Sequence, residues 1–142
     1  MTAANPIEAA VDHFARARGF ARKQSSWYLR QAETVLILNL QRSTYGPQYY
    51  VNVALWLLPL GDERWPKDHK AHLRARLERL LPSGKEDGVA RVFDLDAELP
   101  DDERARQINE YLDLALPPII GASETIADLR SPVYAAVISR LH

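Results

Sequence analysis

The stretch SWYLRQAETVLILNLQRSTYGPQYYVNVALWLL, residues 26–58, decides the fold. Its periodicity is two, the repeat of a β-strand, in which alternate side chains share a face. Thr34–Arg42 and Tyr49–Leu57 read as a hairpin closed over residues 43–48, where Gly46-Pro47 belongs in a loop because proline cannot donate to a ladder. Placing Gln41 opposite Tyr50 and Asn39 opposite Asn52 puts Leu36, Leu38, Leu40, Val51, Val53 and Leu55 on one side. Asn39, Gln41, Tyr50 and Asn52 fall on the other. A preceding strand over residues 27–30, with Leu29 opposite Leu36, adds Trp27 and Leu29 to the apolar side and Ser26, Tyr28 and Arg30 to the polar one.

Outward from this ribbon the remaining segments read mainly as helices. Asn5-Pro6 opens the first: Asn caps, Pro takes the first helical position, and Glu8 stands where a capping box needs it. Ile7, Val11 and Phe14 form its apolar stripe, and Gly19 ends it. Residues 67–81 read as a second helix with Leu73, Leu77 and Leu80 on one stripe, ended by Pro82-Ser83-Gly84. Residues 89–95 read as a fourth strand. Asp101-Asp102-Glu103 suits the first turn of a further helix, which buries Ile108, Tyr111, Leu112 and Ala115 and breaks at Pro117-Pro118. Ser123 and Ser131 read as caps of two short closing helices, the last burying Val133, Val137 and Leu141. The order α-β-β-β-α-β-α-α, with strands adjacent in sequence, predicts an α+β fold: an antiparallel sheet of about four strands packed with helices, residues 1–142 forming a single globular domain.

Composition sets the class of protein. A hydrophobic share of 46% beside 26% charged residues is the balance of a globular chain that buries a core, not of a disordered one. A formal charge of −1 gives no global attraction to nucleic acid, which is disfavoured as a partner. Without cysteine there is no disulfide framework, thiolate metal site or thiol nucleophile. The first residues carry no basic stretch followed by an apolar one, and no apolar run approaches the roughly 20 residues of a membrane helix. A cytoplasmic protein is expected.

No catalytic set emerges. Serines stand at turns and caps, where local backbone bonding explains them, and no phosphate-cradling or dinucleotide-binding glycine pattern occurs. His69 and His72 lie three apart with Asp62, Glu63 and Asp68 nearby, but no further ligand stands at a fixed spacing, so neither a metal site nor a cofactor is assigned. His13 and His142 have less support still. Two basic blocks stand out, Arg16 to Lys23 and Arg64 to Arg79, with Trp27, Tyr28 and Tyr50 as stacking groups for a single strand. Neighbouring acids supply ordinary ion-pair partners for both.

The polar side of the ribbon is the sharper feature. Asn39, Gln41 and Asn52 are poor strand formers in the middle of the two best strands. Either the C-terminal helices cover this side and their backbone satisfies the amides, which the sequence favours, or the side is a shallow groove for a ligand or peptide. The candidate site is Tyr28, Arg30, Asn39, Gln41, Tyr50 and Asn52.

The same residues carry a family resemblance. Gly19-Phe20-Ala21-Arg22-Lys23, Trp27-Tyr28, Leu38-Asn39-Leu40-Gln41-Arg42-Ser43 and Tyr49-Tyr50-Val51-Asn52-Val53 resemble, in order and spacing, the pattern of domain-of-unknown-function family 4304. Arg42 stands where lysine is common, which keeps the charge. The resemblance implies a small bacterial α+β domain and no particular activity. Taken together, the expectation is a non-enzymatic binding or accessory module, immunity-like by analogy, that recognises a protein or peptide through the Tyr28/Gln41/Asn52 side. The alternative is an enzyme acting on a small polar substrate with a helix histidine, His69 or His72, as base.

Overall fold

The computed structural model describes residues 5–141, and His142 lies outside the described residues. Helix α1 (Pro6–Ala17) starts as its sequence demands, with Asn5 Oδ1 accepting from the Ile7 and Glu8 amides. Glu8 does not return the bond to its cap and pairs instead with Arg22. Gly19, at φ +85°, turns the chain into strand β1 (Ala21–Lys23), a conformation that costs a residue with a side chain about 1–2 kcal/mol.

Strands β1, β2 (Ser26–Arg30), β3 (Thr34–Arg42), β4 (Tyr49–Leu57) and β5 (Leu73–Arg76) form one antiparallel sheet in sequence order. The hairpin register is the expected one: Asn39 pairs with Asn52, Gln41 with Tyr50 and Leu29 with Leu36. Trp27, Leu36, Leu38, Leu40, Val51, Val53 and Leu55 point into the main core with Ile7, Val11 and Phe14 of α1. The other cover for that core is α3 (Asp101–Ala122), through Ile108, Leu112, Leu116 and Ile119. Fully burying each such side chain contributes about 1.5–3 kcal/mol, so this side dominates the fold.

The chain departs from expectation in five places. Residues 67–81 form no helix. A 3-10 turn at Asp68–Lys70 precedes β5, and a second follows at Leu77–Leu80. Leu73, Ala75 and Leu77 also alternate, and that period prevails because β4 has a free edge: Leu55 pairs with Leu73 and Asn52 with Arg76. Residues 89–95 are not a strand. Val89–Val92 is one helical turn, α2, whose Val89, Val92 and Phe93 share the spacing of a helix face, and Asp94 makes only an isolated bridge to Gln48. Among the described residues the sheet thus has five strands where about four were expected.

Helix α3 continues through Pro117 and Pro118 to Ala122. Each proline removes a ladder bond, at about 3 kcal/mol. Burial of Ile119 and Ala122 in the turn beyond holds the helix together. Ser123 then ends α3, and Thr125, not Ser123, caps α4 (Ile126–Arg130) in a reciprocal box with Asp128. Ser131 caps the 3-10 turn Pro132–Tyr134 before α5 (Ala135–Ile138). Val133 there is 82% exposed, not buried.

Arg104 on α3 is buried, its guanidinium donating to the carbonyls of Val92 at 2.6 Å, Asp94 at 2.9 Å and Ala97 at 3.1 Å. This ties the irregular segment after α2 to the long helix with charge-assisted bonds.

Candidate functional site

The helices pack on the leucine side of the sheet. They do not cover the amide side, contrary to the favoured expectation, because Ile7, Val11 and Phe14 of α1 and Ile108, Leu112, Leu116 and Ile119 of α3 join the Leu36/Leu38/Leu40 core. The amide side is covered only in part, by the segment between β4 and β5. There Tyr28, Val35, Ile37 and Ala54 form a second, smaller apolar cluster with Trp56, Leu58, Trp65 and Ala71. Half of this sheet surface is therefore greasy and roofed, and the half toward the β3–β4 turn is polar and open.

All six predicted residues share this side, as the register requires. Asn52, 6% exposed, donates both of its Nδ2 protons, to Asn39 Oδ1 at 3.1 Å and to Gln41 Oε1 at 3.0 Å. Asn39 Nδ2 in turn donates to Ser26 Oγ at 3.0 Å. The amides of β3 and β4 thus bond to one another and to the Ser26 hydroxyl of β2, not to the backbone of a covering helix. Asn52 Oδ1 and Gln41 Nε2 are left without a partner among the described residues. The guanidinium of Arg76 lies over the Tyr50 ring, 4.1 Å from its centre. Tyr28 meets Trp65 edge to face at 5.1 Å, and Arg30 pairs with Asp62 at 3.0 Å. Burial, against a hydrogen bond from Ser26 and helped by the Asp68 charge, raises the Tyr28 phenol above its ordinary value and keeps it neutral.

Three adjoining hollows run along this surface. One of about 450 Å³ lies between Tyr28, Arg30, Val35, Asp62, Arg64 and Trp65. Across Trp65, a second of about 410 Å³ is bounded by Lys23, Ser26, Tyr28, Asn39, Lys67, Asp68 and His69. A third of about 360 Å³ lies over Gln41 and Asn52 between Arg74 and Arg76. Sequence reading missed Lys23, Trp65, Lys67, Asp68, Arg74 and Arg76 as members of this trough. Reading residues 67–81 as a helix hid the alternation that puts Arg74 and Arg76 on the amide side.

The trough is positively charged. Its two lining carboxylates are already engaged, Asp62 with Arg30 and Asp68 with Arg74 at 3.4 Å. Lys23, Arg64, Lys67 and Arg76 have no carboxylate within 4 Å among the described residues.

The histidines do not share a helix face, since no helix is there. His72 Nδ1 accepts from the Leu57 amide at 2.9 Å and its ring lies 4.5 Å from that of Trp56, so it serves the loop. His69 is exposed at the rim of the middle hollow. Among the described residues no three His, Asp or Glu side chains gather to hold a metal ion, and no helix is long and apolar enough to cross a membrane.

The model of one protein family, described as Domain of unknown function (DUF4304), matches residues 11–122, which span the whole sheet and α3. The chain belongs to that family. No curated protein and no solved structure matches it.

Proposed function

We propose that this DUF4304 member is a binding module, and that its partner is an extended segment of another protein laid along the amide side of the sheet. One observation carries the reading: the open half of a sheet surface is floored by a mutually bonded amide row that still offers an acceptor, Asn52 Oδ1, and a donor, Gln41 Nε2. A peptide backbone presents the complementary donor and acceptor at every residue. The greasy hollow between Tyr28, Val35 and Trp65 adds a place for one apolar side chain beside the polar track.

Photo-cross-linking tests this. A benzophenone side chain replacing Gln41 should give a discrete protein adduct in the native host, and the same group replacing Asn109 on the helical side should not. Adding Asn52→Ala should remove the adduct while the thermal unfolding profile stays native-like. Equal adducts from both positions, or none from position 41, would reject the reading. An enzyme using His69 or His72 has less support, because the helix meant to aim both rings is absent and His72 is already bonded.

A further inference from the structure

Resting on that reading, we infer that the segment the trough receives is acidic: an extended peptide carrying carboxylates. Lys23 on β1, Arg64 and Lys67 on the covering segment and Arg76 on β5 surround the trough without carboxylate partners among the described residues. Among the described residues the acids lining it, Asp62 and Asp68, are already paired with Arg30 and Arg74. An arriving carboxylate therefore meets cations that need no prior ion pair broken. The Nε of Arg74 is buried and has no hydrogen-bond partner among the described residues.

Charge elsewhere sharpens the contrast. The chain as a whole carries −1, and carboxylates predominate from Lys85 to Asp113, on the opposite, helical side. The molecule is thus polarised, and an acidic ligand is steered to the sheet side and repelled from the other. Spacing agrees with an extended ligand. Arg74 and Arg76 are two apart on one strand, about 7 Å, which is also the repeat of alternate side chains along a peptide lying beside it.

A single-stranded nucleic acid would answer to the same charge but needs open ring faces for its bases. Those rings are occupied: Arg76 lies over Tyr50, His72 against Trp56, and Tyr28 with Arg64 and Lys23 around Trp65. The observations favour the peptide.

Fluorescence anisotropy on the intact chain at low salt tests the inference. The probes are a labelled peptide of alternating glutamate and tyrosine, its glutamine counterpart, and an oligothymidylate of similar length. The glutamate peptide should bind, weaken with added salt, and lose about tenfold in affinity in Lys67→Glu/Arg76→Glu and again in Lys23→Glu, all of which alter exposed side chains. The glutamine peptide should bind about tenfold more weakly than the glutamate peptide. Tighter binding of the oligothymidylate, indifference to charge reversal, or no binding of the glutamate peptide would overturn the inference. Equal binding of both peptides, lost in Gln41→Ala/Asn52→Ala, would overturn the acidity while leaving the trough a peptide site.

Discussion

Replacing Asn52 by valine separates the two reasons a strand might carry amides. The substitution removes the bonds to Asn39 and Gln41, and each neutral bond contributes about 0.5–1.5 kcal/mol net, so the gross loss is about 1–3 kcal/mol. Neither acceptor is stranded, however: Gln41 is exposed and Asn39 half-exposed, so water replaces the donor. Valine is the better strand former, on a scale spanning about 1 kcal/mol, and it buries no unpaired carbonyl. The net change should lie within about 1 kcal/mol of zero. Thr34→Val supplies the contrast on the neighbouring strand, β3. Thr34 is fully buried, and its hydroxyl donates to the Ser123 carbonyl at 2.6 Å while accepting from Gln31 Nε2 at 3.0 Å. Ser123 is itself buried and keeps only a 3.5 Å contact from Gln31, so the stranded carbonyl should cost about 1–3 kcal/mol. Urea unfolding followed by circular dichroism, with slopes checked for constancy, measures both. If Asn52→Val proves as costly as Thr34→Val, the amide row is there to hold the sheet, and it ceases to be a reason for a site.

Two further perturbations test the packing around this frame. A Cβ at Gly88 would run into the Tyr111 hydroxyl although the Gly88 backbone is ordinary, so Gly88→Ala should cost about 1–3 kcal/mol and Tyr111→Phe should recover most of it. Strictly additive effects of the two changes in urea melts would refute this contact. Asp12 is pushed up by burial, but hydrogen bonds from Trp27 Nε1 at 2.8 Å and Arg16 at 2.9 Å, with the charges of Arg16 and Arg22, bring its carboxyl below the ordinary value. A carboxyl depressed in the folded state stabilises fully above its unfolded pKa of about 3.9 and loses that contribution as pH falls through the folded value. The unfolding midpoint of Asp12→Asn should therefore fall less steeply than that of the native chain below about pH 4. Glu103, drawn down to about 2 by hydrogen bonds from Arg106 and Gln107, titrates in both proteins and cancels in the comparison. Parallel acid limbs would show that Asp12 does not sense the fold.

The β2–β3–β4 ribbon was legible down to its register because its two faces differ in chemistry along nearly every residue. A slip by one would have buried Asn39 and Gln41 beneath α1 and α3 and exposed Leu38 and Leu40, a difference far larger than any turn preference. The cap at Asn5 was legible for a similar local reason, as one side chain meets two orphan amides. The Pro117-Pro118 stop was misread because it is set by distant packing: local cost argues for a break, and burial of Ile119 and Ala122 outweighs it. Which side of the sheet the helices take was misread too. Polar side chains at mid-strand invite the inference that something must cover them, yet three amides on adjacent strands satisfy one another.

Residues 67–81 matter most for what the site can be. Leu73, Leu77 and Leu80 fit a helix, while Leu73, Ala75 and Leu77 fit a strand, and four residues are too few for periodicity to decide. The free edge of β4 decides, a fact invisible until the sheet is assembled. The choice fixes the electrostatics. On a helix the arginines of this stretch would be spread around a solvated cylinder, one among many ion-paired surfaces. On β5 they are sorted: Leu73 and Ala75 turn to the core and Arg74 and Arg76 to the amides. The turn before β5 then sets Lys67 beside Lys23 from β1, an element that strand pairing alone carries to the same face. Two basic blocks that looked independent in sequence thus become two walls of one trough. For that reason, moving a charge from Arg76 to the neighbouring core-facing position by exchanging Ala75 and Arg76 should harm both stability and acidic-peptide binding, whereas Arg76→Glu should harm binding alone.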